Sequence, residues 1–271
     1  MSSADNEELF GSPAKVAFVK RSRDLWSLLR DNPRFAYYGR AVGLSDPRSD
    51  TADVLCSLAR LQGATVCFYY PASEASALFA ELEFKGMVTH RHEQLHGGED
   101  TLAASRKTLE TFALPKDLTV MALDQNTPAK LVFEVAELCQ SCDVMPVSGS
   151  IMRGVTKEGI CLVAVNKRGQ PAATASSYII HHPESARTRE VFWGMLATRP
   201  ERRGEKIALL LGAQAIRHMW EKHGARGVMT GVRADNESSQ ALCKKLGFDS
   251  TQWICASCID PGVLGETSVT K

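Results

Sequence analysis

Between Val191 and Ile216 an apolar strand-like run, a charged turn and a long apolar helix follow one another without a break, and this junction constrains the fold more than any other stretch. Val191-Phe-Trp-Gly-Met-Leu-Ala-Thr198 reads as a strand, and Ile207-Ala-Leu-Leu-Leu-Gly-Ala-Gln-Ala-Ile216 as a mostly buried helix. A strand that enters a helix through a short turn leaves the first N–H groups of that helix unpaired, with the positive end of the helix dipole behind them. Arg199, Arg202, Arg203 and Lys206 add cations, so the turn suits a phosphorylated ligand. Its single glycine, Gly204, excludes the Walker lysine–serine pattern and the three-glycine dinucleotide fingerprint. Glu201 and Glu205 interleave the cations, and a solvated basic-acidic turn is the competing reading.

A second segment favours the ligand. Ala225–Arg233 reads as a strand and Glu237–Leu246 as a helix, with Asp235 or Asn236 to cap it and Gly247 to end it in the left-handed conformation. With both segments in view, the chain resembles the GNAT superfamily of acetyl-CoA-dependent N-acetyltransferases. In that family a strand leads into an Arg/Gln-x-x-Gly-x-Gly/Ala turn and helix that hold the pyrophosphate of CoA. Arg203, Lys206 (where glycine is usual) and Ala208 stand at the matching places. The family's later Asn-x-x-Ala-x-x-Leu-Tyr-x-Lys-x-Gly-Phe appears as Asn236-Glu-Ser-Ser239-Gln-Ala-Leu242-Cys243-Lys-Lys245-Leu-Gly247-Phe248. The resemblance spans residues 117–258 and implies an α/β (α+β) GNAT fold: a central, mostly antiparallel mixed sheet flanked by helices. It also implies acetyl-CoA as cosubstrate, with no metal, and an amine as acceptor.

By the same resemblance, Arg202, Arg203, Gly204, Glu205, Lys206, Ile207 and Ala208 would hold the pyrophosphate. Backbone groups of Leu196, Ala197 and Thr198 would take the pantetheine arm as if it were a short strand. Asn236 and Ser239 would lie at the cofactor and its thioester end. Glu190, at the start of the cofactor strand, is the candidate base, with a solvated carboxylate as the competing reading. Cys243 takes the place of the tyrosine that many members carry as proposed general acid; it is either that acid or a small buried hydrophobe. The implied reaction is direct attack of an amine on the thioester. A non-catalytic acyl-CoA-binding or regulatory protein is the alternative, motivated by Cys243 and Lys206. A module unrelated to CoA, with a purely structural turn, is a third.

Upstream, Leu118–Leu123 reads as a strand, Pro128–Cys139 as a helix, and Ile160–Val165 with Ala172–Ile180 as a hairpin around the turn at 166–170. Arg153 is either an acceptor-site residue or a surface arginine. The first half holds an internal repeat: Ala77-Leu-Phe-Ala-Glu-Leu-Glu-Phe84 matches Ala241-Leu-Cys-Lys-Lys-Leu-Gly-Phe248 at four of eight positions, each after a strand-like run. Residues 1–105 are therefore expected to be a degenerate GNAT-like domain without CoA, and 106–271 the catalytic domain. The first would cover the acceptor side, with Trp26, Tyr37 or Tyr38 offered to a pocket. The break is placed near Gly97-Gly-Glu-Asp100, with Thr101–Phe112 as a connecting helix.

With 32 basic and 31 acidic residues the chain is nearly neutral, so no broad attraction to nucleic acid or membrane is expected. No apolar run reaches the ~18 residues of a membrane helix, and Met1–Glu8 is too polar for a signal peptide, so a cytoplasmic location is expected. Eight cysteines are expected as free thiols, and the pairs Cys139/Cys142 and Cys255/Cys258 lie too far apart for a zinc ribbon. His90, His92 and His96 share one face of an extended segment, read as a polar strand face rather than a ligand set. Gln252–Cys258 is read as an edge strand that could pair with a neighbouring molecule, the chain being a monomer or homodimer.

Overall fold

Apolar residues occupy both faces of the strands, which forces helices onto each side of a sheet rather than leaving one side to water. The computed structural model describes residues 8–265 and 268–269; most of the polar start, residues 1–7, lies outside the described residues. Ten strands form one sheet: β1 (Phe35–Tyr37), β2 (Val42–Leu44), β3 (Ala64–Pro71), β4 (Val88–Gly97), β5 (Leu118–Ala122), β6 (Gly159–Asn166), β7 (Pro171–Ile179), β8 (Glu190–Thr198), β9 (Gly227–Val232) and β10 (Asp249–Ile259). Around it lie α1 (Pro13–Leu29), α2 (Thr51–Gln62), α3 (Ala75–Phe84), α4 (Glu99–Thr111), α5 (Ala129–Ser141), α6 (Gly149–Met152), α7 (Ile207–His223), α8 (Glu237–Lys245) and α9 (Pro261–Leu264).

The order across the sheet is β1-β2-β3-β10-β4-β9-β8-β7-β6-β5. Neighbours pair antiparallel except β2 with β3 and β8 with β9. Along β6, Cys161 and Val163 join the core beneath α5, whereas Ile160, Leu162 and Ala164 join the core beneath α7, as a period of two requires. The expected mixed, mostly antiparallel sheet flanked by helices is what forms.

One expectation is corrected. β10 is no edge strand: it sits inside the sheet, antiparallel to β3 on one side and β4 on the other. The repeat noticed in the sequence has a topological counterpart, because β3–α3–β4 and β9–α8–β10 follow the same strand–helix–strand path. The two paths interleave, so that β4 lies against β9 and β10 against β3. Backbone groups that would have made β10 an exposed edge are thereby paired.

A polar cluster ties the interleaved strands together. Glu190 opens β8 and accepts a hydrogen bond from the Tyr69 hydroxyl of β3, and it lies 3.2 Å from Nε2 of His96 on β4. Arg187 pairs with Glu190 at 3.2 Å and with Asp46 at 3.1 Å, and its guanidinium lies 3.9 Å from the centre of the Tyr69 ring and 5.1 Å from that of Trp253. A side chain at Gly227 would meet Glu190 and His96 at 2.9 Å, so glycine is what lets β9 approach. Burial pushes the Glu190 carboxyl up, but hydrogen bonds from His96 and Tyr69 and the charge of Arg187 outweigh this and hold it at about 2.

Two outcomes follow. Because β10 ties both halves into one sheet, chemical denaturation should give a single transition by tryptophan fluorescence and by circular dichroism. Ile254→Ala, at a fully buried site on β10, should shift that transition whole, by about 2–5 kcal/mol; two separable transitions would contradict the interleaving. A folded-state pKa below the usual carboxylate value contributes stability above pH ~4.5 that is lost as the pH falls toward about 2. Glu190→Gln should therefore be less stable than the parent at pH 7, by on the order of 2–3 kcal/mol, with the gap closing as urea titrations are carried down through pH 4 to pH 2.

Candidate active site

The site begins where two neighbouring strands part. β8 and β9 run parallel but pair only at Glu190/Gly227, Val191/Val228 and Phe192/Met229. Beyond Phe192 they diverge, and a wedge opens between Gly194–Thr198 and Thr230–Val232. The register of β8 against β7 also breaks, between Thr174/Ala197 and Ser176/Gly194, so two residues of β8 face Ala175 alone. At this bulge Met195 takes a φ of +52°, a sparsely populated conformation for a residue with a side chain. The effect on facing is measurable: Val191 and Trp193 point to the α7 core, whereas Met195 and Ala197, of the same parity, point to the α5 core. Bulge and divergence together leave a free edge of backbone on β8.

That edge borders a cavity of about 570 Å³. Of the residues assigned to the cofactor in the sequence, Leu196, Ala197, Thr198, Arg202, Arg203, Gly204, Lys206, Ile207, Ala208, Asn236 and Ser239 all line it. Glu205 does not; its carboxylate is taken by Arg202 at 2.8 Å. No acceptor among the described residues meets the backbone N–H groups from Gly204 through Leu209; the first amide of α7 to find one is Leu210, which donates to the carbonyl of Lys206. Six consecutive open donors at the N-terminus of a 17-residue helix form an anion cradle.

Lys206 caps this helix with φ +62° and ψ +14°, a left-handed conformation that glycine adopts without strain. The structure thereby gives a reason for the glycine usual at this place. The lysine does not simply point to solvent, as its Nζ rests 3.7 Å from the centre of the Phe112 ring. Arg202 is held by Asp117 and Glu205, at 2.8 Å each, leaving Arg203 as the exposed arginine of the turn with no side-chain partner among the described residues. Arg199 lies outside the lining; its Nε donates to the carbonyl of Pro171. Asn236 caps α8 by accepting from the amide of Ser239 at 3.2 Å.

The two proposed catalytic side chains part company. Cys243 lines the cavity but is 2% exposed and packed into the α7 core, and burial pushes its thiol up to about 12. Glu190 lies outside the lining, engaged with Tyr69, His96 and Arg187. Arg153 is not there either: it binds the Glu8 carboxylate at 2.8 Å and the carbonyls of Asp124 and Thr127. Of the three aromatics offered by the first half, Tyr38 reaches the cavity, and Trp26 and Tyr37 stack on each other with centroids 5.4 Å apart.

The far wall was harder to read from sequence. Val66 and Phe68 of β3, His92 of β4, Cys255 and Ser257 of β10, and Arg40 from the connection between β1 and β2 complete it. Registers explain the company: His92 lies opposite Cys255, and Val66 opposite Ser257, on one face. Burial, and then the charges of His90 and Arg233, push the His92 imidazole down to about 4, so it is neutral at pH 7. Arg40 had one sequence signal, as the sole charge in Phe35-Ala-Tyr-Tyr-Gly-Arg-Ala-Val-Gly-Leu44. Among the described residues no three histidine, cysteine or carboxylate side chains converge as a metal set, and no helix is long and apolar enough to cross a membrane.

Residues 142–248 match the family model described as "Acetyltransferase (GNAT) family". Among solved structures, the chain is similar to a GCN5-related N-acetyltransferase from Kribbella flavida, with 15% identity, coverage of 92% of this chain and 96% of that one, and a TM-score of 0.57. It is also similar to a GCN5-related N-acetyltransferase-like protein from Streptococcus suis (19% identity, 83% and 82% coverage, TM-score 0.52). A third similar structure is a tandem GNAT protein from the clavulanic acid biosynthesis pathway (15% identity, 85% and 76% coverage, TM-score 0.52). No curated protein matches the chain. The divergent β8–β9 pair, the bulge and the open helix N-terminus fall inside the segment that matches the GNAT family model, and the chain has the fold of the GNAT structures it is similar to.

Proposed function

We propose that the protein transfers an acetyl group from acetyl-CoA to an amine by direct attack in a ternary complex. The observation that carries this reading is the continuity of the free β8 edge with the six open N–H groups at the start of α7. Pyrophosphate would sit on Gly204–Leu209 with Arg203 beside it, and pantetheine would run along Leu196–Thr198. The thioester carbonyl would come to the bulge at Met195, where a backbone N–H released from the β7 ladder would stabilise a developing oxyanion. The amine nitrogen attacks the carbonyl carbon, the tetrahedral intermediate collapses, the C–S bond breaks, and the proton lost by the nitrogen returns to the departing thiolate.

Among the described residues no carboxylate lines the cavity, and Glu190 is held too acidic to serve as an efficient base. We therefore assign catalysis chiefly to near-attack positioning and to the bulge donors rather than to a fixed base. Cys243 is assigned to packing, because a thiol pushed up to about 12 gives its proton to a thiolate reluctantly. Residues 1–105 are proposed as a degenerate GNAT-like unit that supplies the acceptor wall. The non-catalytic alternative rests on Lys206 and Cys243, and turnover decides it.

Calorimetric titration with acetyl-CoA should show binding that Arg203→Ala weakens about tenfold or more, as expected for one charge-assisted contact to phosphate. Arg202→Ala, whose guanidinium is already paired, should lose less. Absence of binding to the parent protein at millimolar acetyl-CoA would sink the transferase reading. With a turned-over amine in hand, Cys243→Ala should keep kcat within a few-fold; a loss of about a hundredfold or more would restore the cysteine as general acid.

A further inference from the structure

The cavity contains a cation that the proposed CoA contacts do not use. Arg40 is 6% exposed, and its Nε is buried without a hydrogen-bond partner. No carboxylate among the described residues pairs with its guanidinium; burial lowers its basicity, and Tyr38, Cys139 and Tyr178 offset this only in part. Its other immediate company is the ring of Tyr38, with the guanidinium carbon 5.7 Å from the centroid. A buried charge is normally paired, since its desolvation otherwise goes uncompensated. Arg40 lines the cavity, and the missing partner is therefore sought in a ligand.

Position says which ligand. Arg40 comes from the first half of the chain, and Tyr38 beside it packs against Phe192 with centroids 5.5 Å apart. Phe192 is the last residue of β8 to pair with β9, at the closed apex of the wedge, whereas the phosphate cradle lies past the other end of β8. Arg40 thus stands beyond the bulge, on the acceptor side. In the surrounding wall Val66, Phe68, Val144 and Phe192 are apolar, and the neutral His92, Cys255 and Ser257 add no charge. A single unpaired guanidinium in such a wall balances one negative charge, which fits a carboxylate and leaves a phosphate dianion with excess charge.

Resting on the transferase reading for the identity of the site, we propose that Arg40 anchors a carboxylate of the acceptor, so that the acceptors are amines that also carry a carboxylate, as amino acids do. Arg40 positions the acceptor and takes no part in bond making.

The test uses the full chain, with and without acetyl-CoA, and a panel of simple carboxylates: benzoate, phenylacetate and the N-acetyl forms of glycine, leucine and glutamate, each beside its neutral primary amide. Thermal shift and calorimetry should show members of the carboxylate set, and not their amides, binding the parent protein. Arg40→Met should weaken that binding about tenfold or more while leaving acetyl-CoA affinity unchanged, and Arg40→Lys should fall between. Without ligand, Arg40→Met should melt higher than the parent by a few degrees, because it removes an uncompensated buried charge; a purely structural arginine would move the melting point the other way. The proposal is overturned if no carboxylate distinguishes the parent from the Arg40 variants, or if Arg40 matters to binding of succinyl-CoA but to none of the free carboxylates. Should Arg40→Met not fold, Arg40→Lys and Arg40→Gln carry the same comparison. Failure of acetyl-CoA to bind the parent would count against the transferase reading alone, since the carboxylate arms run without it.

Discussion

Three residue pairs of parallel ladder hold β8 to β9, and the abrupt end of that ladder is the constraint from which the site is built. A strand released from its neighbour would ordinarily expose a row of backbone donors and acceptors at some cost. Here the exposure is confined to a wedge and shared out: β7 satisfies one side of β8, α7 covers one face and α5 the other. The bulge at Met195 makes the release orderly, since it inverts which residues face which core without breaking the strand. Gly231 completes the opposite side, where a Cβ would press on Cys255 and His92 at 3.2 and 3.3 Å.

Charge is sorted as carefully as backbone. Among the described residues the cavity lining contains arginines and lysines and no aspartate or glutamate, although the whole chain is almost balanced. The acids near the cavity are turned away to bind its outer cations: Asp117 and Glu205 to Arg202, Asp235 to Arg233. Such an arrangement holds a positive potential in a low-dielectric cleft, where it acts on an anionic ligand far more strongly than the same charges would in open solvent.

The charged turn before α7 and its two flanking elements were legible in the chain because they are local: an apolar run, an open helix start and an arginine lie within twenty residues of one another. The helix from Glu237 was legible for the same reason, with its cap narrowed to Asp235 or Asn236, of which the structure uses Asn236. The surroundings of Glu190 were not, because Tyr69 and His96 reach it across the sheet from strands that the sequence gives no means of ordering. Arg40 shows the same limit. Its isolation in an uncharged run marks it as unusual, but only the placement of β1 and β2 beside the apex of the wedge makes it part of a pocket. Cys243 carried two readings in the sequence, and its burial in the α7 core weighs toward packing.

The interleaving of β10 also sets an order of events during synthesis. Nine strands have left the ribosome before β10 does, yet β10 fills a slot in the middle of the sheet, between β3 and β4. Until it arrives, both of those strands carry an unsatisfied edge, and loop closure over nearly two hundred residues must precede the pairing of β10 with β3. The early part of the chain is therefore expected to wait, partly assembled and prone to capture by other strands, for the segment that lets it close. A nascent chain of this design depends on protection during elongation in a way that two independently folding domains joined end to end would not.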